Sequence, residues 1–134
     1  MALGLRQKVR ETMTNKALRA LEYLGFLLAA WPLLVLAGFL AFVVLVRASV
    51  GHWPSANNPG PWQPEWQLQH TLMFCGIFLI PLTSFCAIMV ALGGRLQTRE
   101  FRCWRMVALT LVSLAVVVVY SHADPGGYVK WFWH

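Results

Sequence analysis

Residues 23–46 read Y-L-G-F-L-L-A-A-W-P-L-L-V-L-A-G-F-L-A-F-V-V-L-V, a run with no charged side chain. As a helix it covers about 36 Å at ~1.5 Å per residue, more than the ~30 Å hydrocarbon core of a bilayer. A cleavable signal peptide would carry an apolar region of only about 7–15 residues. The run is therefore read as an uncleaved transmembrane helix. Pro32 falls within it and is tolerated there, with a kink expected.

Two further runs have the same character. Residues 70–93 form a second expected span, with Pro81 near its middle and Gly93 and Gly94 marking its end. Residues 104–121 form a third, whose Val116–Val119 run is β-branched. β-Branching disfavours helix in water, but in lipid the backbone must satisfy its own hydrogen bonds, so helix is still expected. The reading is an all-α integral membrane protein with three spans.

Composition agrees. Of 134 residues 58% are hydrophobic and 12% charged, about half the charged fraction of a soluble domain. The net charge of +6 does not point to nucleic acid, because the basic residues flank apolar runs rather than forming a stripe on a soluble surface. Three cysteines, Cys75, Cys86 and Cys103, make no paired framework. Cys75 and Cys86 lie ~16 Å apart on one helix, too far for a disulfide.

The connecting segments are distinct. Residues 1–22 repeat Leu5, Val9, Met13, Ala17 and Leu21 every four positions, with Arg6, Lys8, Arg10, Lys16 and Arg19 on the other faces. This predicts a basic amphipathic helix, lying on an anionic leaflet or extending the first span into the cytoplasm. Residues 47–69 form a loop in which Pro54, Pro59, Pro61 and Pro64 alternate with Trp53, Trp62 and Trp66. Residues 94–103 hold an Arg-rich loop. Residues 122–134 form an aromatic tail opened by the turn signal Asp124-Pro125-Gly126 and expected to lie at the membrane interface.

Orientation follows from the basic residues. With the N-terminus in the cytoplasm, nine Lys and Arg fall inside and only Arg47 and Lys130 fall outside. The positive-inside rule thus predicts N-in/C-out. A bacterial inner membrane is the expected location. Arg47 opposes the bias, and pairing with Glu65 or Asp124, or snorkelling to headgroups, would accommodate it.

That topology gathers the chemically interesting residues on the outer side. His70 opens the second span and His122 closes the third, with His52, Glu65 and Asp124 on the same side. Imidazole with carboxylate suits a transition metal, and two facing histidines suit a haem iron. Against this stand the absence of helical i, i+4 histidine spacing and of a CxxCH motif, and the ordinary preference of histidine for span ends.

The second constellation is aromatic. Trp53, Trp62, Trp66, Trp131 and Trp133, five of the seven tryptophans, lie on that same side. They read either as an interfacial girdle or as a surface for docking a larger membrane protein, tryptophan being enriched at binding hot spots. A cage for a cationic lipid headgroup or small ligand is a further alternative.

Small residues recur at close-packing spacing, as Gly25 and Ala29, Ala37 and Ala41, and Ala87 and Ala91. They fit a packed bundle or a homo-oligomer equally. No Asp, Glu, Lys or Arg lies deep within a span, which argues against an autonomous transporter, pump or channel. Ser84 has no histidine at its depth, which argues against an intramembrane protease. The expected role is a non-enzymatic accessory subunit or assembly factor, with a metal or haem protein and a lipid binder as alternatives.

Overall fold

The computed structural model describes residues 2–55, 63–97 and 102–133, with side chains from Lys16 onward except at position 97. Four helices make up its regular structure: α1 (Ala2–Val50), α2 (Gln67–Gln97), α3 (Cys103–Ala123) and α4 (Tyr128–Trp133). Three of them, over Lys16–Val50, Gln67–Leu96 and Cys103–Ala123, are long and apolar enough to cross a membrane.

Helix α1 is continuous for 49 residues, about 73 Å at ~1.5 Å per residue. No break separates the basic segment from the first span, because nothing between Arg19 and Leu24 is a cap or a breaker. The side chains of residues 1–15, which carry most of the expected amphipathic pattern, lie outside the described residues.

Helix α2 continues past the point where glycine was expected to end it. Glycine stops a helix by turning left-handed. Among the described residues only Gly51 and Gly127 are glycines with positive φ, so Gly93 and Gly94 stay helical. Helix α3 exceeds its expected span by one residue at its start and two at its end.

The helices pack through small residues. A Cβ on Gly25 would come within 2.8 Å of the Met106 sulfur, and one on Gly76 within 3.3 Å of Val35. Ala29, Ala87 and Ala91 are wholly buried. The expected pairs Gly25/Ala29 and Ala87/Ala91 thus serve packing within the chain. Ala37 and Ala41 instead face outward.

Polar groups fasten the bundle where proline interrupts it. Pro32 and Pro81 have no N–H to give to the carbonyls of Leu28 and Ile77. About one turn from each proline, another helix donates to the backbone. The Ser113 hydroxyl donates to the Ala29 carbonyl at 2.8 Å. The Trp31 indole donates to the Gly76 carbonyl at 3.3 Å. These are interhelical hydrogen bonds that tie α1 to α3 and to α2.

The larger core lies at the end of the bundle that holds the proline loop and the tail, called here the tryptophan end. It comprises Phe39, Phe42, Val43, Val46, Trp131 and Phe132. A smaller cluster around Ala91 and Met106 lies at the opposite, arginine end. There Glu22 pairs with Arg102 at 3.9 Å, half in solvent, a contact worth little by itself.

Candidate functional site

The tail, expected at the membrane interface, packs onto the chain's own helices. Two glycines and an aspartate turn it back into the bundle. Asp124 adopts a left-handed conformation (φ 37) as the C-cap of α3, its N–H donating to the Tyr120 carbonyl. Aspartate tolerates this geometry better than most residues. Gly127 follows with φ 68. The Asp124 carboxylate then accepts from the N–H groups of Val129 (2.8 Å) and Lys130 (3.2 Å). It thereby satisfies donors that open α4 and have no helical partner.

So aimed, α4 buries Trp131 and Phe132 completely. Phe132 meets Phe39 edge-on at 5.5 Å, and Trp131 meets Phe42 at 5.6 Å. Both rings belong to the core formed with Phe39, Phe42, Val43 and Val46. Trp133 remains half exposed and touches Phe74.

His70 is part of this closure. Its side chain is 1% exposed. Nε2 lies 3.2 Å from the Phe132 carbonyl, so the Nε2–H tautomer donates there, and the ring lies over Phe132 at 4.3 Å. His122 is exposed at the end of α3, and His52 is exposed with Nδ1 3.1 Å from the Trp53 carbonyl. Glu65 is exposed, and Asp124 is committed to α4. Among the described residues no three of His, Cys, Asp and Glu gather as a metal site would require. The histidine–carboxylate set is thus spread over surface and core, with His70 turned to the tail.

The tryptophans also divide. Trp53 lies half exposed beneath the Arg47 guanidinium, 3.8 Å from ring centre to carbon, and its other neighbour is Tyr128 at 5.7 Å. Arg47 therefore meets a ring instead of Glu65 or Asp124. A cation over an indole is favourable without a carboxylate. Trp66 packs against Phe42 at 6.5 Å, and its indole nitrogen is buried with no acceptor among the described residues. Trp62 lies outside the described residues.

Between the long helices and α4 is a partly open cavity of about 240 Å³. Val35, Leu36 and Phe39 form one wall, Ile77 and Ile80 another, and Val117, Tyr120, Val129 and Phe132 much of the rest. Sequence reasoning missed this cavity and missed Phe132. The available signal was the phase of Val35 and Phe39 on α1 and of Ile77 and Ile80 on α2, each pair falling on one helix face. The three cysteines are free, as expected.

No family model, curated protein or solved structure matches the chain.

Proposed function

We propose that this chain is a small non-enzymatic subunit or assembly factor that binds a larger membrane protein, with its N-terminus in the cytoplasm of a bacterial inner membrane. One observation carries the reading. Four buried or half-buried polar side chains are turned to the chain's own backbone: Ser113 to Ala29, Trp31 to Gly76, Thr110 to Met106 and His70 to Phe132. Three of them join different helices, the Thr110 bond stays within α3, and the four do not converge on one point. Among the surfaces left outward are the Ala37/Ala41 face of α1 and the exposed edges of Trp53 and Trp133. An alanine pair at that spacing lets a second helix approach closely.

Extraction of the tagged chain from its native membrane in mild detergent tests this. A larger protein should co-purify in fixed ratio, and Ala37→Leu with Ala41→Leu should release it while the helical content holds. Recovery of the chain alone, or of a complex indifferent to the double variant, would overturn the proposal. An elemental and optical scan of the same eluate tests the metal alternative. Haem or metal near one equivalent, lost in His70→Ala, would put that reading first.

A further inference from the structure

We propose that the cavity between α1, α2, α3 and α4 binds one acyl chain of a bilayer phospholipid. The lining decides the chemistry. The Tyr120 and Ser121 hydroxyls and the Trp133 indole N–H are the polar side-chain groups in that lining; the Ser121 hydroxyl donates to its own helix at Val118, and Trp133 stands at the exposed rim. Buried water needs about 2–4 polar partners, which such a wall does not supply. A polar ligand would lose its hydration with few hydrogen bonds in return.

Size and access favour a chain. The cavity volume of about 240 Å³ exceeds the ~150 Å³ of a dry apolar cavity that takes up benzene. It accommodates a flexible hydrocarbon segment better than a rigid ring system. Two lining residues, Ser121 on α3 and Trp133 on α4, are exposed and form its rim. The walls come from the tryptophan half of the three apolar helices, where the surrounding solvent is acyl chain. Lys130, exposed and next in sequence to the lining residue Val129, offers a cation for the phosphate of the same molecule.

The test uses the full chain in phosphatidylcholine vesicles doped with a phospholipid carrying a mid-chain diazirine. After irradiation, labelled peptides are mapped by mass spectrometry. Labelling should concentrate on Val35, Ile77, Ile80 and Val117, several-fold above lipid-facing Leu82 and Val119. Val117→Phe, which fills the cavity, should lower labelling at Ile77 and Ile80 several-fold and leave Leu82 unchanged. Should that variant not fold, a doxyl-labelled phospholipid read by electron spin resonance on the unmodified chain decides instead. One lipid per chain held longer than the boundary lipids around the helices is expected, and none beyond that shell would overturn the proposal. Uniform labelling of cavity and outward residues would also overturn it. So would cavity labelling by a diazirine fatty acid but not by the phospholipid, which would assign the site to a free acid.

Discussion

Asp124 is the residue on which the tail depends. It ends α3 in a left-handed turn and caps α4 with both carboxylate oxygens. Asp124→Ala should cost about 1 kcal/mol, the usual worth of a helix cap, and should loosen α4. Tryptophan emission checks this: a red shift and easier quenching are expected, because Trp131 is wholly buried. Asp124→Asn keeps an acceptor and should fall between the two. The Asp-Pro-Gly turn was legible in sequence because its residues have local preferences. The capping was not, since it depends on where Val129 and Lys130 return in space. Gly25 makes the complementary case. Its side-chain position is already occupied by Met106, so Gly25→Leu should cost about 1–3 kcal/mol as overpacking, measured by loss of helicity in a denaturing-detergent titration.

At the scale of the element, a side chain of one helix donates to the backbone of another near each proline. Ser113→Ala removes the hydroxyl bonded to the Ala29 carbonyl near Pro32. About 0.5–1.5 kcal/mol should be lost, as for an ordinary intramolecular hydrogen bond. The spans themselves were legible, because an apolar run longer than the bilayer admits one structure. Their ends were less so. Gly93 and Gly94 signal termination only if the chain turns there, and α2 keeps helical dihedrals through them. The partner donors Ser113 and Trp31 could not be assigned, because hydroxyl and indole groups in a span fit many registers.

Over the whole molecule the two ends differ in chemistry. Arg95, Arg102 and Arg105 lie with Glu22 at one end, whereas His70, Trp66 and the buried tail close the other. Sequence separated these ends correctly by charge. It could not show that the aromatic residues would split between core and surface. Trp131 and Trp133 are two residues apart in the same tail, and only packing against Phe42 and Phe74 distinguishes them. Three crossings would put these ends on opposite sides of the membrane. Labelling intact cells with a membrane-impermeant maleimide tests that most directly. A variant with only Ser55→Cys should react from outside, and a variant retaining only Cys103 should react only after permeabilisation. Reaction of both from the same side, or of Cys103 from outside, would contradict the topology and the orientation drawn from it.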